Sequence, residues 1–338
     1  MKKYNIAIVG ATGNVGREIL QIIQERNFPV KKIYALASKN SEGKKLNYGE
    51  DKSIKVSSLE KFKFENIDIV FSSSGSEISK VFVPKATKAG AIVIDNTSFF
   101  RMDKDIPLIV PEVNAKEIPK FKKKKIISNP NCSTIQLVTA LKPIHDQFVI
   151  KRIVVSTYQS TSGAGKKAMD ELFNQTLDVY KNKPLKSKFF TKKIAFNVIP
   201  HIDEFQSNGD TKEELKIIEE TKKILDPKIK ISATCVRVPV FIGHAESVNI
   251  ETKKEINLDI VNKVLNNASG IKVLDIKSDG GYVTPDETAG EDDVFVSRIR
   301  KDESIKNGLS MWVVADNLRK GAALNSVQIA EELIKKLK

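Results

Sequence analysis

Asn5-Ile6-Ala7-Ile8-Val9-Gly10-Ala11-Thr12-Gly13-Asn14-Val15-Gly16 is the stretch whose reading decides the fold. Ile6 to Val9 is an unbroken apolar run, the pattern of a strand buried on both faces of a parallel sheet. A glycine-rich turn follows. From there to Arg26, Val15, Ile19, Ile22 and Ile23 share one helical face. Strand, glycine turn and helix in that order cradle a dinucleotide pyrophosphate, because glycine admits a close backbone approach and the helix N-terminus faces the anion. A purely structural turn is the alternative for the glycines.

The second strand, Lys32 to Ala37, ends in Ser38-Lys39-Asn40-Ser41-Glu42-Gly43-Lys44. An NAD site usually places a carboxylate at this tip to hold the ribose 2′-hydroxyl, whereas here the tip carries hydroxyls, an amide and lysines. NADP is the expected cofactor, unless Glu42 turns toward the ribose. The alternation continues with a strand at Ile67 to Phe71, the small-residue turn Ser72 to Gly75, a helix through Ala86 and a strand at Ala91 to Ile94. Such an alternation predicts a doubly wound sheet. Arg101 follows in Ser98-Phe99-Phe100-Arg101, an isolated cation just past a strand tip, where ligands of these sheets gather; a surface arginine is its plainer reading.

The next decisive stretch is Ile126-Ile127-Ser128-Asn129-Pro130-Asn131-Cys132-Ser133-Thr134, a tight polar turn opening onto a helix. Ile135, Leu137, Val138, Leu141 and Ile144 keep roughly a helical period, so Cys132 is expected at the helix N-terminus. The unpaired N–H groups and helix dipole there favour the thiolate, the form in which cysteine is a nucleophile. A buried structural thiol is the alternative, and it is the reading given to Cys235 in its apolar strand.

Beyond this helix the texture changes. Arg152 to Gln159 reads as a strand, followed by the second glycine-rich turn Ser160-Thr161-Ser162-Gly163-Ala164-Gly165 and a helix to about Tyr180. Further strands are expected near Ile194 to Ile199, Ile231 to Phe241, Ala245 to Ile250, Ile271 to Ile276, Asp293 to Arg300 and Ser310 to Val314, with helices at Lys212 to Leu225 and Ala322 to Leu337. Strands outnumber helices in this half, which predicts an α+β domain with a mixed or antiparallel sheet. The last helix is expected to fold back onto the nucleotide domain. At 338 residues the chain exceeds one ordinary core, so the fold class is α/β: an N-terminal doubly wound Rossmann-type nucleotide domain plus an α+β domain.

A cysteine nucleophile needs a proton partner, and the chain has three histidines. His145 ends an apolar helix and His201 lies in Ile199-Pro200-His201-Ile202, both structural settings. His244, after the strand ending at Phe241 and the turn Ile242-Gly243, is the expected acid–base. Arg237 lies amid apolar neighbours, where a charge is costly to bury unless it meets an anion such as a substrate carboxylate.

Hydrophobic residues at 41% and charged residues at 29% describe a folded globular protein. The formal charge of +14 raises nucleic-acid binding as a rival, but the lysines are spread along helices and loops without interleaved aromatics. Neither nucleic acid nor membrane is an expected partner: no apolar run is long enough to span a bilayer. With no signal peptide, and two cysteines in no disulfide or metal spacing, the chain is expected in the cytoplasm and without a metal.

Gly10 to Gly16, Ser128 to Thr134, Tyr158 to Gly165, Arg237 to His244 and Asp316-Asn317-Leu318-Arg319-Lys320-Gly321-Ala322-Ala323 together resemble the aspartate-semialdehyde dehydrogenase family, in order and over essentially the whole chain. The resemblance implies an NADP-binding domain at 1–131, completed by a C-terminal helix at 321–338, and a catalytic and dimerisation domain at 132–320. It implies a homodimer or homotetramer that reduces L-aspartyl 4-phosphate with NADPH to phosphate and aspartate semialdehyde, feeding lysine (through diaminopimelate), threonine and methionine synthesis. By the same resemblance Cys132 is the thioester nucleophile, His244 the acid–base and Gln159 the residue that orients substrate. Arg237 holds the α-carboxylate, Arg101 and Lys216 the phosphate, and Glu213 the amino group. Thr12, Gly13, Asn14, Val15, Asn40, Ser41, Ser162, Gly163 and Asn317 contact NADP; Asn40 stands where many relatives carry arginine. N-acetyl-glutamyl-phosphate reductase shares this chemistry on a longer acylated substrate, but the local segments fit it less well. A non-catalytic nucleotide-binding regulator would keep the glycine turn with no need of Cys132, Gln159 and His244.

Overall fold

Residues 2–49 and 52–337 are described by a computed structural model; Met1, Glu50, Asp51 and Lys338, and with them the outermost limits of the expected domains, lie outside the described residues. Two compact units are formed, Met1–Asn131 with Ala322–Lys338, and Cys132–Gly321.

The first unit is built on β1 (Tyr4–Val9), α1 (Asn14–Glu25), β2 (Val30–Ala37), β3 (Lys45–Tyr48), β4 (Lys52–Ser58), β5 (Ile69–Ser72), α2 (Ser76–Lys88), β6 (Ile92–Asp95), α3 (Pro111–Asn114) and β7 (Ile126–Ser128). Its sheet runs β3-β4-β2-β1-β5-β6-β7, parallel except for β3 against β4. Successive side chains of β1 point to opposite faces, which explains its unbroken apolar run. Ile6 and Ile8 join Ile19 and Ile22 of α1 and Val327 and Ala330 of the chain's last helix, Leu324–Lys336 (α8). Ala7 and Val9 join Val70, Val93 and Phe82 on the other side. The sheet is thus covered on both faces, the doubly wound arrangement.

The β3–β4 hairpin has no counterpart in the sequence reading, because Lys45-Leu46-Asn47-Tyr48 and Lys52-Ser53-Ile54-Lys55 are too polar to read as strands. They form an edge, where charged side chains are tolerated and block further pairing.

The second unit comprises α4 (Cys132–Phe148), β8 (Ile150–Gln159), α5 (Lys166–Tyr180), α6 (Lys212–Ile224), β9 (Lys230–Arg237), β10 (His244–Thr252), α7 (Leu258–Asn266), β11 (Ile271–Val273), β12 (Val294–Asp302) and β13 (Gly308–Ala315). The sheet order is β11-β12-β13-β10-β8-β9. It is mixed: β8–β9 and β11–β12 are parallel and the other pairs antiparallel. Leu137, Leu141 and Ile144 of α4 and Ile217 of α6 cover one face in a single core with Val155, Val248 and Val313.

Several expected elements are corrected. No strand forms at 194–199: the Gln175 side chain accepts the Ile194 and Ala195 N–H groups, Phe196 takes φ +57°, and a single bridge from Ile199 to Arg237 is all that remains. The strand expected to reach Phe241 stops at Arg237, since Pro239 has no N–H to offer a ladder. The strand expected to reach Ile276 stops at Val273. The last helix begins at Leu324, after a wide turn over Arg319–Ala323, and α7 was masked by its short length.

Candidate active site

In the first unit the glycine turn has the shape a pyrophosphate requires. Gly10 adopts φ +84°, and a Cβ there would lie 2.8 Å from the Ser73 carbonyl oxygen; a Cβ on Gly16 would collide with the Gly10 carbonyl. Helix α1 starts with no side-chain cap hydrogen bond and no acidic residue in its first turn, so no negative group of its own first turn competes with an anion for the positive end of its dipole. Thr12, Gly13, Asn14 and Val15 occupy this turn. Beside it opens a cavity of about 890 Å³ whose lining includes Gly10, Thr12, Ser38, Ser73, Phe62 and Ile78, a volume within the range of nucleotide-sized ligands. Asn40 and Ser41 lie at the β2 tip in the short turn Lys39–Ser41, and Glu42 accepts from Lys61 at 3.4 Å. These residues fit a dinucleotide. Arg101 is buried, not on the surface, and donates from Nε to the Asn129 carbonyl (2.9 Å) and from Nη2 to the Asn96 carbonyl (2.7 Å).

In the second unit the strand register gathers the other candidates at one end of the sheet. Gln159 ends β8 opposite Arg237, which ends the parallel β9; His244 begins β10 opposite Ala315, which ends β13 two residues before Asn317. Four neighbouring strands therefore deliver Gln159, Arg237, His244 and Asn317 to one edge. Cys132, half-buried, begins α4, and a Cβ added to Gly321 would lie 2.8 Å from its Cβ, so glycine is what lets the chain pass this close to Cys132. A Cβ on Gly163 would lie 3.2 Å from His244 Nε2 and 3.5 Å from Arg237 Nη1, which packs the second glycine turn against both side chains. Gln159 is buried, its Nε2 donating to Thr157 Oγ1 at 3.2 Å.

The charges in this unit are arranged around burial. Arg237 is 7% exposed and donates from Nη1 to the Ser160 carbonyl at 2.7 Å. Burial lowers its pKa, while the fields of Glu213 and Cys132 support its charge. Helix α6 opens with a capping box in which Thr211 and Glu214 bond reciprocally, and this sets Glu213 and Lys216 on its first turns. Lys216 Nζ reaches Asp203 Oδ2 at 2.7 Å and Glu213 Oε2 at 3.1 Å. Burial opposes the Lys216 charge, but Glu213 and Asp203 outweigh it and hold the pKa above the ordinary lysine value. His244 is fully buried, and desolvation followed by the field of Arg237 pushes it down to about 3. The ring is neutral at physiological pH. Ser162 and Asn317 bond to each other and, through Ser160, to this histidine.

Cys235 is the inert thiol of the pair, in the core with its pKa raised by burial. His145 is half-buried with its pKa lowered by desolvation, and His201 stacks on Phe205 with ring centres 4.3 Å apart. Ser160, Asp203 and Gly321 are contributors the sequence reading did not single out. Their signals were weak: a small residue after Gln159, an aspartate in a loop, a glycine in a run of small residues. No helix among the described residues is long and apolar enough to cross a membrane.

Residues 5–121 match the family described as semialdehyde dehydrogenase, NAD binding domain, and residues 141–320 match semialdehyde dehydrogenase, dimerisation domain. The chain is 54% identical over 334 residues to an aspartate-semialdehyde dehydrogenase of Rickettsia bellii, covering 99% of this chain and 98% of the relative. It is 54% identical over 335 residues to one from Aquifex aeolicus, covering 98% of each. Among solved structures, aspartate semialdehyde dehydrogenase II of Vibrio cholerae complexed with ASA matches with a TM-score of 0.96 at 48% identity over 99% of both chains. The enzyme with NADP from Candida albicans matches with a TM-score of 0.76 at 26% identity over 98% of both. With a nucleotide cradle in one unit and Cys132, His244 and Arg237 in the other, this chain belongs to the aspartate-semialdehyde dehydrogenase family.

Proposed function

We propose that the chain catalyses the NADPH-dependent reductive dephosphorylation of L-aspartyl 4-phosphate to L-aspartate 4-semialdehyde, supplying lysine, threonine and methionine synthesis. The observation that carries the reading is that Arg237 and His244 meet at the bare face of Gly163 in the second unit, with Arg237 within the field of Cys132 and Cys132 packed on Gly321. In this reading the Cys132 thiolate attacks the acyl carbon, the C–S bond forms, and the C–O bond to phosphate breaks as the tetrahedral oxyanion collapses. NADPH, when bound, supplies the hydride that turns the thioester into a thiohemiacetal. Breaking the C–S bond then frees the aldehyde and regenerates the sulfur, with His244 exchanging the protons.

Arg237 meets the α-carboxylate with its planar fork, Glu213 the amino group, and Lys216 with Arg101 the phosphate. Gln159 orients the acyl group. Thr12, Gly13, Asn14 and Val15 take the pyrophosphate, Asn40 and Ser41 the 2′-phosphate end, and Ser162, Gly163 and Asn317 are further contacts to NADP. NADP is favoured over NAD because no free carboxylate stands at the β2 tip: Glu42 is paired with Lys61. The units act as NADP-binding and as catalytic and dimerisation domains, in a homodimer or homotetramer. A free thiolate nucleophile suits a reducing compartment, the cytoplasm.

The test is NADP reduction with aspartate semialdehyde plus phosphate, run beside N-acetyl-glutamate semialdehyde and beside NAD. Turnover confined to aspartate semialdehyde with NADP is the expected result. Turnover of the acetylated substrate alone, or none with either, would overturn the reading.

A further inference from the structure

The His244 ring is held at Nδ1 by one residue, Ser160. The Ser160 backbone N–H donates to Nδ1 at 3.1 Å, and the Ser160 hydroxyl lies 3.1 Å from the same nitrogen. A ring nitrogen that accepts from a backbone amide carries no proton of its own, so the neutral ring keeps its proton on Nε2. Nε2 has no hydrogen-bond partner among the described residues and lies against the bare face of Gly163.

The Ser160 hydroxyl has a second partner, Asn317 Oδ1 at 3.0 Å. That oxygen is fixed by the Gly243 N–H at 2.9 Å and the Ser162 hydroxyl at 3.0 Å, while Asn317 Nδ2 donates to Ser162 at 2.9 Å. Ser160, Ser162, His244 and Asn317 are all buried, so water does not replace any of these bonds. The hydroxyl therefore has two settings. Its hydrogen points to Nδ1 or to Asn317 Oδ1, and in either setting the backbone N–H keeps Nδ1 an acceptor.

We propose that Ser160 is a positioning residue for the reaction: its backbone N–H and hydroxyl hold Nδ1 as an acceptor, so that the neutral His244 ring presents Nε2–H as a hydrogen-bond donor to the oxyanion that forms on the substrate. The inference rests on the acid–base role of His244 in the proposed function. The other charged groups facing the ring are Arg237 from β9, which disfavours the imidazolium, and Glu213 from α6, which favours it; the Gly243 backbone also favours it. Ser160 differs from these because it bonds Nδ1 directly.

The experiment compares the full chain with Ser160→Ala and Ser160→Thr. Ser160→Ala keeps the backbone N–H but removes the hydroxyl. Its kcat is expected to fall on the order of 10-fold, the size of one buried hydrogen bond, with KM for NADP unchanged and a larger solvent isotope effect. Ser160→Thr, which restores a hydroxyl, should recover most of the rate. Equal losses in both variants with a matching drop in melting temperature would overturn the proposal, as would an unchanged kcat in Ser160→Ala. A second readout needs no turnover: ¹⁵N NMR of the three histidines, with His244 assigned by loss in His244→Asn, should place its proton on Nε2. A proton on Nδ1 refutes the inference even if the assigned reaction is correct, and a proton on Nε2 without turnover of aspartate semialdehyde would refute the assigned reaction alone.

Discussion

Two thiols in one chain have opposite surroundings, and the difference predicts which one reacts. Cys132 heads α4 half-exposed, whereas Cys235 is buried in β9 with its pKa raised by desolvation. Cys132→Ser should nearly abolish turnover while the fold and cofactor binding persist, because a serine hydroxyl is much the weaker nucleophile at neutral pH. Intact turnover in that variant, or alkylation by an aspartate-like electrophile at Cys235 on peptide mass spectrometry, would reverse the assignment. The two cations divide differently. Arg237 has a planar fork that lysine cannot reproduce, so Arg237→Lys should raise KM for the semialdehyde, and Lys216→Ala should raise KM for phosphate. Each lost contact is worth roughly 2–5 kcal/mol in a dry site. Equal rises in both constants for both variants would mean that separate anion pockets do not exist.

Elements matter here through where they start. Helix α6 is held by the Thr211–Glu214 capping box, and its first turns carry Glu213 and Lys216. Thr211→Ala should lower stability by about 1 kcal/mol and raise KM for phosphate more than KM for NADP, because fraying moves Lys216 relative to Asp203. Thermal melts and steady-state kinetics check both parts; a stability loss with unchanged kinetics would show that tertiary packing, not the cap, orients the lysine. The pattern at strand ends is similar. Gln159, Arg237 and His244 are far apart in the chain and meet because β8, β9 and β10 are adjacent with their relevant ends on one side.

At the scale of the whole molecule, burial of charge links folding to pH. Glu246 on β10 is fully buried, its oxygens lack a well-formed hydrogen bond, and desolvation raises its pKa well above the usual carboxylate range, opposed by the Gln136 amide of α4. A carboxyl whose folded pKa is raised contributes its stability in full below its unfolded pKa and loses it as pH rises toward the folded one. Glu246→Gln should therefore melt at the parent's temperature at pH below the ordinary carboxylate range, and at an increasingly higher temperature than the parent as pH rises above that range. Parallel melting curves across that window would show that Glu246 is ionised and compensated in the native state.

Read from residues alone, the doubly wound unit was legible because its strands are apolar on both faces and its glycine turn leaves a local signature: Gly16 must be bare because the Gly10 carbonyl, a few residues earlier, lies against it. Cys132 was legible for the same reason, since a polar turn before a periodic apolar run is a local feature. The resemblance carried Gln159, Glu213 and Lys216, which spacing could not assign, whereas Arg237 was legible from its apolar neighbours. The β3–β4 edge, the missing strand at 194–199 and the Ser160–Asn317 brace on His244 were not legible. Each depends on partners distant in sequence: Gln175 takes the N–H groups that a strand would have used, and Asn317 reaches Ser160 across 157 positions. Local pattern determines which segments bury apolar faces and turn. Which polar atoms satisfy one another inside, and so which histidine tautomer faces the reacting atoms, is decided only when the sheet closes, because a hydrogen bond acts over about 3 Å and has no periodicity in the chain.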